Sequence, residues 1–378
     1  MPDRQAEREE IRRLLLGGRS LQMLAPRRIG KTWLMRRVAE DLAADDWITI
    51  SSDVEGMRSE EEFLRDLCAK IEEQESYGKQ VFLHLGQRLK QITSGTWEGG
   101  PVQAIGRVDP KAFVEALIAS LDAEGRDTVI LVDEIALFVS RLLANDAAKA
   151  SDFLYHLRKL RQSYPRVRWI LTGSIGLDVV ARRGNLHGAL VDLDILPIDP
   201  FDEQQARAYL DRLCAANDVR RPFALDDGGF HHLARELGWL APYYLRLIAD
   251  RIRPSGAATD AGRPLALVAD IDGAFEELLK PYNRGSFSTW EEHIDKNFPP
   301  EDAVLLQAIL EICCEQPMGE TFATLQTRLS KTLRIIPTRD VKNMLTALAN
   351  DGLLHEADGR WRFRSGLLRR YWMAYLHP

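Results

Sequence analysis

The stretch Leu21-Gln-Met-Leu-Ala-Pro-Arg-Arg-Ile-Gly-Lys-Thr-Trp-Leu34 restricts the fold of this chain more than any other. A short apolar strand runs into a turn, then into Gly30-Lys31-Thr32, then into a helix. Gly30 lets backbone N–H groups curl round an oxyanion, and a helix starting near Lys31 aims its positive end at the same point. Ala25, Pro26, Arg27, Arg28, Ile29, Gly30, Lys31, Thr32 and Trp33 are therefore expected to wrap a nucleotide's phosphates. Lys31 would reach the β- and γ-phosphates, and the Thr32 hydroxyl would hold Mg²⁺. The usual pattern, G-x-x-x-x-G-K-[ST], opens on glycine, and Ala25 stands there instead. If that position needs a positive φ, alanine costs about 1–2 kcal/mol. A glycine at a tight turn before an ordinary helix would spell the same letters, so a second element has to decide.

That element is Thr128-Val-Ile-Leu-Val-Asp-Glu134, an apolar run ending in two acids. A strand apolar on both faces belongs inside a parallel sheet covered by helices, and ligands bind at the C-terminal ends of such strands. Asp133 is expected to hold Mg²⁺ through its water shell, and Glu134 to orient and deprotonate the attacking water. Two solvated acids at a strand end are the plain alternative. Lys31-Thr32 in the same chain argues against it.

With 378 residues the chain has room for two or three domains, and 45% hydrophobic with 28% charged residues is the balance of a globular protein. No apolar run approaches the ~20 residues of a membrane span, and the polar start Met1-Pro-Asp-Arg-Gln lacks a signal-peptide pattern, so the expected location is cytoplasmic and off the membrane. Cys68, Cys214, Cys313 and Cys314 form no CxxC pair and predict buried thiols. A net charge of −6 argues against a surface that binds nucleic acid everywhere, while leaving room for a local basic patch.

In chain order, residues 4–16 read as a helix, 33–45 as the helix after the turn and 47–50 as a second strand. A loop and helix follow over 53–74, then an irregular stretch over 76–110 with an exposed loop at 93–101, and a helix over 111–124. Residues 136–164 read as mostly helical. Arg166-Val-Arg-Trp-Ile-Leu-Thr-Gly-Ser174 is a fourth strand that would bring Thr172 or Ser174 near the γ-phosphate, and a fifth strand is expected over 190–196. Alternating strands and helices give a parallel α/β sheet. In Val180-Ala-Arg-Arg-Gly-Asn185, Arg182 and Arg183 are either surface arginines or fingers that stabilise transition-state charge, in their own subunit or in a neighbouring one of an oligomer. Beyond Pro200 helices take over, the first capped by Asp202, another with Pro242 in its first turn. These would form a lid from which Arg246 or Arg251 either reaches the phosphates or makes a surface ion pair.

Leu-Ala-Pro-Arg-Arg-Ile-Gly-Lys-Thr, the strand ending Val-Asp-Glu and the strand ending Leu-Thr-Gly-Ser resemble the archaeal-type ATPases of the AAA+/STAND branch of P-loop NTPases, and the resemblance extends over nearly the whole chain. It implies ATP as the nucleotide, and a nucleotide-binding core followed by a helical lid and a winged helix. By position, Lys31 and Thr32 fall on the first nucleotide motif, Asp133 and Glu134 on the second, and residues 172–174 on a sensor. Ala25 departs from the family's opening glycine. Leu240 stands where the family usually has a glycine before the lid proline, with Gly238 further back.

The corresponding domains are 1–198, 199–285 and 286–378. In the last, helices over 301–315, 321–330 and 338–350 precede a two-stranded wing over 352–365, with Asp358-Gly359 as its hairpin turn. Alternation puts Trp361 and Phe363 on one face and Arg360, Arg362 and Arg364 on the other, where with Arg339 and Lys342 they would meet a nucleic-acid backbone. A wing that contacts a protein partner or its own core is the competing reading. The sequence thus predicts an α/β, Mg²⁺-dependent ATPase acting as a nucleotide-driven switch, with duplex DNA, a protein effector or further copies of itself as partners. The alternative is an ATP-binding scaffold with little turnover.

Overall fold

Thr128–Asp133 is buried at every residue, as a strand apolar on both faces requires, and it sits inside a five-stranded sheet. The computed structural model describes residues 4–74, 77–93, 101–173, 176–260, 262–287, 290, 294, 298–333 and 336–376. The chain divides into two compact units, one of Arg4–Ala25 with Lys31–Ile198, the other joining Pro26–Gly30 to Asp199–Pro378.

The first unit holds strands β1 (Ser20–Leu24), β2 (Ile48–Asp53), β3 (Thr128–Asp133), β4 (Val167–Gly173) and β5 (Leu193–Pro197) in the order β2-β3-β4-β1-β5. Each neighbouring pair is parallel. Helix α1 (Gln5–Leu16) precedes β1, and the crossovers carry helices α2 (Lys31–Ala44), α3 (Glu60–Glu72), α4 (Gly78–Ile92), α5 (Pro110–Ala123), α6 (Ile135–Asn145), α7 (Ala147–Ser163) and α8 (Leu177–Arg183). Chain order reverses between β1 and β2, with β4 and β3 intervening, and this is where an open parallel sheet leaves a crevice beyond its C-terminal ends. Phe63, Phe138 and Phe153 anchor the core, their ring centroids 5.3–6.2 Å apart.

Two sequence expectations change here, and a third is left untested. Residues 76–110, read as irregular, contain α4, whose Val81, Leu85 and Leu89 are fully buried at four-residue spacing. Residues 94–100 of the expected exposed loop lie outside the described residues. The fifth strand starts at Leu193 rather than Leu190, because His187–Leu190 forms a 3-10 turn.

In the second unit, α9 (Glu203–Ala215) begins on a reciprocal cap: Gln205 N donates to Asp202 Oδ1 at 2.7 Å, and Asp202 N donates to Gln205 Oε1 at 3.1 Å. Removing such a cap costs ~1 kcal/mol. Asp202→Ala is expected to speed amide exchange in the first turn of α9; unchanged exchange there would mean the cap does not hold the turn. Helices α10 (Asp227–Leu237), α11 (Pro242–Ala249, with Pro242 in the first turn as expected) and α12 (Val268–Leu278, absent from the sequence reading) follow. Gly238 ends α10 at φ 70° as its C-cap, which accounts for its distance from Pro242.

The last stretch runs helix Pro300–Glu315, strand β6 (Glu320–Thr321), helices Phe322–Thr332 and Thr338–Asn350, strands β7 (Leu354–Ala357) and β8 (Arg360–Phe363), and helix Gly366–Tyr375. β7 and β8 form the expected hairpin, with Asp358 at φ 54° and Gly359 at φ 70° turning it. β6 adds a third antiparallel strand, too short to be read from its pattern. The four cysteines are free and buried. Among the described residues no helix is long and apolar enough to cross a membrane.

Candidate active site

The turn after β1 takes its shape from two residues in the left-handed region, Arg28 at φ 70° and Gly30 at φ 91°. Ala25 is not among the positive-φ residues, so the cost foreseen for an alanine there does not arise. The strain lies instead at Arg28, where a side chain in this region costs about 1–2 kcal/mol. Its guanidinium lies 4.1 Å from the centroid of the Tyr243 ring, within the same compact unit, and such a contact contributes on the order of 0.5–2 kcal/mol in return. No pattern within the turn signalled that partner. Ile29 is fully buried and anchors the turn, while Trp33, half-buried one turn into α2, has the Arg37 guanidinium over its ring at 5.5 Å.

Lys31, the first residue of α2, places Nζ 3.0 Å from Asp133 Oδ1 and 3.0 Å from Glu134 Oε1. All three side chains are 10–14% exposed. Thr32 Oγ1 donates to Asp133 Oδ2 at 3.0 Å. Asp133 ends β3, and Glu134 is the N-cap of α6 in the left-handed region (φ 58°), its N–H donating to Asp133 Oδ1 at 2.9 Å. Four side chains from two distant stretches thus meet as one hydrogen-bonded cluster at the C-terminal edge of the sheet. Lys31 is the counter-ion of both acids, and the Thr32 hydroxyl and Asp133 carboxylate offer adjacent hard oxygen donors. Among the described residues no group of three or more His, Cys, Asp or Glu could hold a metal. A pair of oxygens suits Mg²⁺, which takes one or two protein oxygens and fills its shell with water and phosphate.

Thr172 stands on β4 opposite Met23 of β1, 2% exposed, and its hydroxyl has no hydrogen-bond partner among the described residues. An unpaired buried hydroxyl is costly, on the order of 1–3 kcal/mol. Ser174 lies outside the described residues. Arg182 and Arg183 are exposed in the last turn of α8. In the second unit, Arg246 is paired with Asp218 (2.6 and 2.9 Å), and Arg251 Nη2 donates to Asn283 at 3.2 Å.

The arginine face expected on the wing is largely engaged within its own unit. Arg364 donates to the carbonyls of Leu354 and Ala349, Arg360 to Gly319, and Arg362 to His355 Nε2 at 3.2 Å. On the last helix Arg369 donates to Cys314 O and Arg370 pairs with Glu236. Lys342 lies over the Phe322 ring. Burial, with Arg362 and Arg364 beside it, pushes His355 down to about 4, so it adds no charge near neutrality.

Residues 17–180 match an AAA domain, a span that contains Lys31, Thr32, Asp133, Glu134 and Thr172. No curated protein matches the sequence. Among solved structures, a Walker-type ATPase of Pyrococcus abyssi is similar over 98% of this chain and 95% of its own, with TM-score 0.66 at 15% identity. The ORC2 protein of Aeropyrum pernix, in ADPNP and ADP complexes, is similar over 96% of this chain and 89% of its own (TM-score 0.45, 15% identity). The ORC1 protein of the same organism, in complex with DNA, is similar over 99% and 93% (TM-score 0.43, 16% identity).

Proposed function

We propose, from the AAA-type P-loop domain of residues 17–180, that this chain is a Mg²⁺-dependent ATPase whose nucleotide state switches its C-terminal unit. The observation that carries the reading is the cluster of Lys31, Thr32, Asp133 and Glu134 at hydrogen-bond distance. A triphosphate entering the loop offers Lys31 a denser negative charge than two carboxylates do. When Lys31 turns to it, Glu134 loses its neighbouring cation, and a carboxylate relieved of a cation becomes more basic. Glu134 is thereby readied to take a proton from water once ATP is in place. Thr32 and Asp133 would hold Mg²⁺, which when bound neutralises charge between the β- and γ-phosphates. Thr172 would give its unpaired hydroxyl to the γ-phosphate side of the site.

The order of helices and antiparallel strands beyond residue 300 supports reading this stretch as a winged helix. Internal bonding of its arginines favours a protein effector, or the chain's own core, over duplex DNA as the target of the switch. Arg182 and Arg183, exposed on α8, would serve a neighbouring subunit if the chain assembles with itself.

ATP hydrolysis measured with Mg²⁺ and with chelator, over a range of protein concentrations and with duplex DNA, tests this reading. Mg²⁺-dependent turnover supports it, and specific activity that rises with protein concentration supports an arginine supplied in trans. Binding without turnover under every condition would replace it with a nucleotide-gated scaffold. Stimulation by DNA would overturn the assignment of the wing. Thr32→Ala is expected to raise the Mg²⁺ concentration for half-maximal activity by about tenfold. An unchanged Mg²⁺ requirement would remove Thr32 from the metal.

A further inference from the structure

The phosphate-loop segment Pro26–Gly30 falls in the same compact unit as Asp199–Pro378. Two contacts lie within that unit. The first is the Arg28 guanidinium over the Tyr243 ring, 4.1 Å from its centroid. Tyr243 is itself braced: its hydroxyl donates to Ser286 O at 3.1 Å, and its ring meets Tyr244 edge-on at 5.4 Å. Tyr244 in turn accepts a buried hydrogen bond from Trp290 Nε1 at 2.8 Å. The second contact is at Gly352, at φ 83°, where a Cβ would lie 2.7 Å from Pro26 Cβ and 2.7 Å from the Trp239 ring. No other residue type fits between that turn and the loop without moving one of them.

We infer that Tyr243 and Gly352 are positioning residues of the phosphate loop, holding Arg28 in its left-handed conformation so that the loop amides are arranged before nucleotide arrives. Arg28 is then directed toward the C-terminal unit and works as the loop's tether, and the site's affinity for a nucleotide triphosphate depends on residues far from it in sequence. A loop ordered in advance binds more tightly because less freedom is lost on binding. The inference rests on the proposed ATPase reading for its functional consequence, though the ordering of the loop is a property of the nucleotide-free protein.

Two measurements test it: amide hydrogen exchange of residues 27–30 in nucleotide-free protein, and the dissociation constant for a fluorescent ATP analogue with Mg²⁺. Tyr243→Leu is expected to speed exchange in the loop and weaken binding roughly five- to tenfold. Tyr243→Phe and Tyr243→Trp, which keep an aromatic face, should restore both. Arg28→Met, a change within a turn that leaves the core untouched, should match Tyr243→Leu, and the double variant should be no weaker than either single one. Gly352→Ala should loosen the same amides by displacing Pro26. Wild-type exchange and affinity in Tyr243→Leu would overturn the inference, as would additive losses in the double variant. If the wild-type protein binds no ATP, the ATPase reading falls, and loop exchange in the variants still decides whether Tyr243 and Gly352 order the loop.

Discussion

Lys31→Ala is expected to remove ATP binding and to lower hydrolysis by a factor of roughly 10²–10³ or more, the cost of losing one preorganised charge at a reacting phosphate. Lys31 is also the cation between Asp133 and Glu134, so its loss leaves two largely buried carboxylates facing each other. The variant should therefore unfold at a lower temperature than wild type even without nucleotide. Thermal unfolding with and without ATP and Mg²⁺ separates the two effects. A ligand that binds the folded state alone raises the midpoint, so wild type should gain and the variant should not. A variant stabilised by ATP as much as wild type would show that Lys31 does not hold phosphate.

Glu134→Gln separates catalysis from binding. A positioned general base contributes about 10²–10⁴ in rate, and glutamine keeps the shape of glutamate while losing its basicity. Hydrolysis should fall by that factor. ATP binding should hold or tighten, because Lys31 no longer has a second carboxylate competing with the phosphates for it. The variant should accumulate bound, uncleaved ATP, seen when nucleotide recovered from the protein is identified. Turnover equal to wild type would sink the assignment of Glu134 as the base and leave Asp133 and Thr32 with metal binding alone.

Much of the fold was legible because its signals are local. β3 is apolar on both faces, Pro242 and Asp202 sit at helix starts as their chemistry requires, and Asp358-Gly359 turns the β7–β8 hairpin. The elements that were missed had weaker local marks. α4 is amphipathic but lies in a stretch dominated by its flanking polar and glycine-rich residues, and β6 is a two-residue strand that exists through its pairing with β8. The sequence left the backbone conformation at Ala25 open, because a spacing pattern identifies a loop but does not assign dihedral angles within it, and the left-handed positions proved to be Arg28 and Gly30.

By itself the sequence determined the strand, turn and helix of the phosphate loop, the acid pair at the end of a buried strand, and the parallel α/β arrangement that brings Lys31, Thr32, Asp133 and Glu134 to one edge. Each of these follows from the two-residue period of strands, the 3.6-residue period of helices and the chemistry of turns, all of which act between near neighbours in the chain. Tertiary structure alone decided that Lys31 bonds to both acids, that Arg28 stacks on Tyr243, and that the arginines of the β7–β8 hairpin and of the last helix are engaged by carbonyls, a histidine and Glu236. Whether a charged side chain is free for a ligand depends on which partners and how much water surround it, and those partners come from distant parts of the chain.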